Sequence, residues 1–228
     1  MTFTKSLTTF TLGALLTASL AATSFSAVAA EDFNTQLLNL QQHWTKVNYQ
    51  LVDDAQEDGF ENLVKQAQTL VAANPDNANS LVWLGIIESS YAGAKGGIGA
   101  LSLAKKAKKA LEKSMEIDDS ALNGSAYASL GTLYHKVPGW PLGFGDDDTA
   151  KEMLEKAMLI NPNGIDSNYF YGEFLFDEKQ YTKAKQHLTH ALQAAARETR
   201  PLADEFRRVE INQLMAKVDK KIKRSKKH

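Results

Sequence analysis

The constraint that most limits this chain is an echo. Ala150, Leu154 and Ala157 return as Ala184, Leu188 and Ala191, each displaced by the same interval. Small and large apolar residues recurring in step at a period of about 34 residues mark stacked supersecondary units, each unable to bury its apolar face alone. A chain built that way folds as a solenoid and offers long surfaces rather than a single closed pocket.

The spacing of apolar residues is helical nearly throughout. Leu37, Leu40, Trp44, Val47 and Leu51 share one helical face. A second stripe (Phe60, Leu63, Val64, Ala67, Leu70, Val71) stops at Asn74-Pro75, and Leu81, Leu84, Gly85 and Ile87 follow on a third helix. No sustained two-residue alternation argues for a strand. Within the repeating units, Tyr127-x-x-Leu130-Gly131-x-x-Tyr134 opens one unit, and Ala150-x-x-x-Leu154-x-x-Ala157 before Asn161-Pro162 closes it. The next unit opens with Tyr171-Gly172 and Leu175 and closes with Tyr181, Ala184, Leu188 and Ala191.

These residues resemble the tetratricopeptide repeat, a helix–turn–helix module with an aromatic-x-x-Leu-Gly-x-x-Tyr opening. The resemblance implies an all-α, right-handed helical-repeat solenoid with a C-terminal capping helix. The repeat domain is expected over 31–216 as about four helix pairs, clearest at 76–195. An atypical first pair falls near 32–52 and 57–73. The cap starts near 202 and carries Phe206, Val209, Leu214, Val218 and Ile222 on one face. In size and repeat count the chain is similar to exported tetratricopeptide proteins that accompany tripartite periplasmic transporters.

Departures from the period are as informative as the period. The interval from Gly172 to Ala184 is short, that from Gly131 to Ala150 is longer, and that from Gly85 to Ala107 is longer still. Both excesses fall between the two helices of a unit, one around Ala92–Gly99 and the other in Val137–Gly145. Insertions at one location project from one side of a solenoid. A flexible glycine-rich turn is expected for the first and an aromatic loop for the second.

The segment 1–30 reads as a secretory signal peptide. Lys5 is its only charge, Leu7–Ala22 is an apolar core diluted by Thr and Ser, and Ala27-Val28-Ala29-Ala30 suits cleavage. A membrane anchor would need about 20 strongly apolar residues. The general secretory route is expected, to the periplasm or beyond, as a soluble protein. With no cysteine in the chain, thiol catalysis, disulfides and a lipid-modified cysteine are excluded. The stretch 217–228 forms a basic tail, with seven cations between Lys217 and Lys227 against Asp219. Its ordinary reading is a frayed, solvated helix end, and its sharper one a peripheral contact with an anionic surface. Nucleic acid is not an expected partner, since the chain reads as exported, mildly acidic and without a matching motif.

Enzyme readings are thin, and no catalytic residue, metal site or cofactor is expected. His187 and His190 are close enough on one helix to share a metal, but no third ligand stands at a telling spacing. Asp146-Asp147-Asp148 could suggest calcium, but its place just before a helix suggests capping. If the first helix of each pair lines the concave side, as the resemblance implies, three clusters face the groove. They are Trp83, Ile86 and Ser90; Thr132, His135 and Lys136; and Tyr169, Phe170, Glu173 and Phe176. Trp140 and Phe144 are expected to fold over that groove, either filling it or walling a pocket. The expected function is a non-enzymatic exported scaffold holding a protein or peptide partner in an aromatic groove. The alternative is a carrier or transporter-accessory protein for a small apolar ligand, with a pocket closed by 137–148.

Overall fold

A computed structural model describes the backbone of residues 19–225, and side chains from Phe33 to Ser225. The chain divides into a first unit, Met1–Gln36, and a second, Leu37–His228. The signal-peptide expectation falls outside the described residues up to 18. From Ser19 the backbone is already in the first helix.

Among the described residues there are nine helices and no strand. They are α1 (Ser19–Gln50), α2 (Asp53–Ala73), α3 (Ala78–Lys95), α4 (Gly97–Ile117), α5 (Ala121–Lys136), α6 (Asp147–Ile160), α7 (Ile165–Asp177), α8 (Tyr181–Gln193) and α9 (Pro201–Ser225). Helix α3 packs on α4, α5 on α6, and α7 on α8, each as an antiparallel pair. The first helices also touch one another, α3 to α5 and α5 to α7, whereas α4, α6 and α8 make no comparable contacts among the described residues. Neighbours that touch lie on the inside of a curve, and neighbours that fan apart lie on the outside. Helices α3, α5 and α7 therefore form the inner face.

The pairs are held by close approach at glycine. A Cβ on Gly131 would lie 2.7 Å from Leu154 Cγ and 3.0 Å from the Ala150 carbonyl oxygen. One on Gly85 would lie 2.5 Å from Leu111 Cγ. The absent side chain is what lets the leucine of the second helix seat against the first helix's backbone. This is the physical content of the sequence echo: its six residues are all 1% exposed or less.

The two insertions resolve differently. The excess near Ala92–Gly99 is not a glycine-rich loop. Helix α3 runs on to Lys95 and α4 begins at Gly97, so the extra residues lengthen both helices, with Gly96 alone between them. Helical extension satisfies backbone groups that a loop would leave to water. The reversal is made where Gly96 and Gly97 adopt φ of 62° and 58°. The second excess is a true loop, Val137–Asp146.

Helix α9 differs from the expected cap. Its buried residues are Ala203, Asp204, Arg207, Ile211, Leu214 and Val218, while Val209 is 48% exposed. It packs on both α7 and α8. A stripe drawn through apolar residues alone selects Val209, because it cannot count an arginine as inward-facing.

Replacing Gly131 with Ala should destabilise the chain by about 1–3 kcal/mol through overpacking against Leu154, read as a lower urea midpoint. An unchanged midpoint would mean that the α5–α6 contact is looser than described.

Candidate functional site

Four of the chain's five arginines (Arg197, Arg200, Arg207, Arg208) lie in one short stretch; elsewhere before Arg224 every fixed cation is lysine. Guanidinium differs from ammonium in pairing bidentately with carboxylates and stacking on aromatic rings. Both properties are used here. Arg208 first closes the end of α8, donating to the carbonyls of Leu192 and of Ala194, the latter at 2.8 Å. This satisfies acceptors that a helix end leaves open.

The other three cross the inner face. Arg207 Nε donates to Asp166 Oδ1 at 2.8 Å and Arg197 Nη1 to Asp166 Oδ2 at 2.6 Å. Arg197 also donates to Asp204 through its backbone amide and Nε, at 2.7 and 2.6 Å. Arg207 Nη1 reaches Glu210 Oε2 at 2.6 Å. The Arg207 guanidinium lies 4.4 Å from the Tyr169 ring centre and 4.7 Å from that of Phe170. Arg200 lies 4.8 Å from Trp83 and 5.8 Å from Trp44. Tyr49 of α1 stacks on Phe206 of α9 with centres 4.7 Å apart and planes 6° from parallel. The non-helical stretch Ala194–Arg200 and the first turns of α9 thus lie against α1, α3 and α7 together.

Charge in this cluster follows its surroundings. Burial pushes the Asp166 carboxyl up, but Arg207, Arg197 and Arg200 reverse this and hold it well below the usual carboxylate range. Among the described residues, Arg200 forms no ion pair with a carboxylate, and its Nε has no hydrogen-bond partner. Burial, aided by Arg197, lowers it to about 10. Burial raises Tyr49 to about 12. A second buried acid lies elsewhere: Glu88 of α3 is 3% exposed, its Oε2 is unpartnered, and burial raises it to about 7.

The expected groove residues therefore divide. Trp83, Tyr169 and Phe170 lie beneath Arg200 and Arg207, and Trp83 is 2% exposed. Ser90 is taken up by Trp44, whose Nε1 donates to its Oγ at 2.9 Å, and by the Ile86 carbonyl. Thr132 donates to the Ala128 carbonyl. His135 is clamped between two carboxylates, with Nδ1 2.8 Å from Asp147 and Nε2 2.9 Å from Asp177. Lys136 donates to Asp177 at 2.9 Å and lies 3.5 Å from Glu173. Phe176 is half-buried beside Tyr181. Thr132, Lys136, Glu173 and Phe176 remain the accessible part of the face.

The Val137–Asp146 loop does not roof the inner face. Phe144 packs edge-on against Tyr134 at 5.4 Å, and Lys108 of α4 lies over both rings. A Cβ on Gly143 would lie 3.3 Å from Leu101 of α4. The loop is therefore laid along an outer helix, and its aromatic residues part company: Phe144 is half-buried, while Trp140 is 90% exposed. Neither filling the groove nor walling a pocket with Trp83 fits this placement.

Asp146 caps α6, accepting from the Thr149 amide at 2.7 Å. His187 is not freely solvated; its Nδ1 lies 3.1 Å from Asn168 Oδ1, and burial lowers its basicity. Among the described residues no group of three His, Asp or Glu side chains is arranged to hold a metal. No helix there is long and apolar enough to cross a membrane.

The architecture matches a thermophilic tetratricopeptide-repeat protein of Thermus thermophilus, TTC0263, with a TM-score of 0.54 at 12% identity. That match covers 86% of this chain and 95% of the other. The fold is a tetratricopeptide-repeat solenoid. A second similar structure is MamA, with a TM-score of 0.42 at 18% identity over 75% of this chain and 93% of that one. No family model and no curated protein matches the sequence.

Asp166→Asn should cost about 2–3 kcal/mol at neutral pH, less than a fully buried pair because Asp166 is 30% exposed. A depressed folded pKa stabilises above the unfolded value and is lost as pH falls through the folded one. The stability gap between wild type and variant should thus hold at pH 7 and narrow below about pH 4. A gap independent of pH would rule out this assignment.

Proposed function

We propose that the protein is a non-enzymatic, exported binding scaffold that receives a protein or peptide segment on its inner face. The observation that carries this reading is that the face already holds a segment of polypeptide, its own residues 194–207. Aromatic rings and Asp166 grip arginines along it. The same face continues into Thr132, Lys136, Glu173 and Phe176, whose side chains stay accessible and alternate in charge and apolarity. An extended segment approaching there would meet the ring of Phe176 and, by displacing the Lys136–Glu173 contact, a lysine for an acid and a carboxylate for a base. The fold supports such a role in that a curved stack presents a continuous concave surface. Export rests on the 1–30 segment.

A photo-crosslinking residue at Thr132 or Phe176 should give a discrete adduct with a partner in the native compartment, while one at Lys183 on outer helix α8 gives none. Equal labelling at all three positions would remove the inner face from consideration. N-terminal sequencing of the protein from its producing cell should begin at Ala30 or Glu31; a chain still starting at Met1 would contradict export.

A further inference from the structure

The two insertions, although built differently, place their most exposed apolar residues at the same edge. Ile98, at the start of α4, is 97% exposed; Trp140 and Leu142, in the α5–α6 loop, are 90% and 72% exposed. The loop meets α4 near Ile98, since a Cβ on Gly143, next to Leu142, would lie 3.3 Å from Leu101 Cδ1, one helical turn beyond Ile98. Side chains this apolar are not held out in water without cost.

Nor is the loop loosely presented. Gly145 N donates to the Pro138 carbonyl at 3.0 Å, and Leu142 N and Gly143 N to that of Gly139 at 3.1 Å each. Asp146 N reaches the Tyr134 carbonyl at 2.9 Å, and Phe144 anchors the base. A tip fixed by its own backbone loses little entropy when it docks.

The charge behind the tip identifies what it meets. Along α4 the exposed face reads Ile98, Ser102, Lys105, Lys109 at helical spacing, with Lys106 beside them. Lys105 and Lys109 form no ion pair among the described residues. At the helical rise per residue, the first lysines stand about 10 Å behind Ile98 along the helix axis. Apolar side chains first, then cations about 10 Å later, is the order of a bilayer surface met from within: acyl chains, then phosphates. Three aspartates follow the loop and carry opposing charge: Asp147 is paired with His135, Asp146 caps α6, and Asp148 is exposed, so the lysines along α4 must outweigh them. A folded protein partner is a poorer fit. Three protruding side chains supply little of the roughly 800 Å² per side that a stable protein interface buries, whereas tryptophan favours the membrane interface.

We propose that this edge, Ile98 with Trp140 and Leu142 backed by Lys105, Lys106 and Lys109, docks the solenoid on an anionic lipid surface.

The chain has three tryptophans, and Trp44 and Trp83 are 6% and 2% exposed, so Trp140 is the solvent-facing reporter. The full chain is mixed with vesicles of neutral phosphatidylcholine, or of phosphatidylcholine with phosphatidylglycerol, while tryptophan emission and sedimentation are followed. Binding to the anionic vesicles, with a blue shift quenched by brominated acyl chains, is expected. Trp140→Ser/Leu142→Ser should abolish co-sedimentation with the anionic vesicles, and Lys105→Glu/Lys109→Glu should weaken binding by roughly tenfold or more. Both variants alter exposed residues, and circular dichroism at unchanged melting temperature verifies their folding. Co-sedimentation without a Trp140 shift would overturn the proposal, because the basic tail would then be the contact. So would absence of binding to anionic vesicles, or a photo-crosslinker at position 140 that labels a protein in preference to lipid.

Discussion

Everything on the inner side of this solenoid depends on how three guanidinium groups are neutralised. A curved stack of helices leaves its concave face unfinished, because the first helices meet one another only along narrow seams. Here that face is aromatic, and an aromatic surface with carboxylates at its margins is suited to arginine. Asp166 is the fixed point. It accepts from Arg197 and Arg207, two residues on either side of the start of α9, and so determines where that helix begins and how it is directed. Arg200 is then carried onto Trp83 and Trp44. Phe206 meets Tyr49, and the last segment of the chain touches the first pair of helices.

Placing charges under cover has a cost, and the structure shows where it remains. Arg207 has two carboxylates and two rings, whereas Arg200 has rings and no carboxylate. Two adjacent guanidiniums lower its basicity further. The closure is therefore strong around Asp166 and weaker toward α3. Asp166 lies in the first turn of α7, whereas Phe176 lies in its last turn, so the accessible face and the strongly held end sit at different ends of one helix. The exposed tip belongs to the loop that begins at Val137, directly after Lys136 at the end of α5, so the face and the edge are joined by continuous chain.

Much of the frame was legible in the sequence. The repeating echo names six residues that are all core, and its helix pairs and both insertion points lie where spacing puts them. Gly131 and Leu154 show why: a close contact between helices needs a missing side chain opposite a large one, and both leave marks at fixed intervals. The site was less legible. Periodicity treats apolar residues as inward and charges as outward, so it selects Val209 over Arg207 and gives Asp166 no inward role. Trp83, Tyr169 and Phe170 lie on α3 and α7, and nothing in their spacing says that Arg200 and Arg207 cover them. The clustering of arginine in a lysine-rich chain was the available signal. Loop Val137–Asp146 was misplaced for a related reason, since its partners Leu101 and Lys108 belong to a different repeat.

The absence of cysteine allows a direct check of the closure. Spin labels would be attached through Lys46→Cys on α1 and Val209→Cys on α9, both exposed positions, and their separation measured by pulsed electron resonance. A segment seated on the inner face predicts one narrow distance distribution, broadened when Asp166→Asn is added. A broad distribution in the parent chain, unaffected by that change, would mean that the C-terminal segment moves freely and that the face is open.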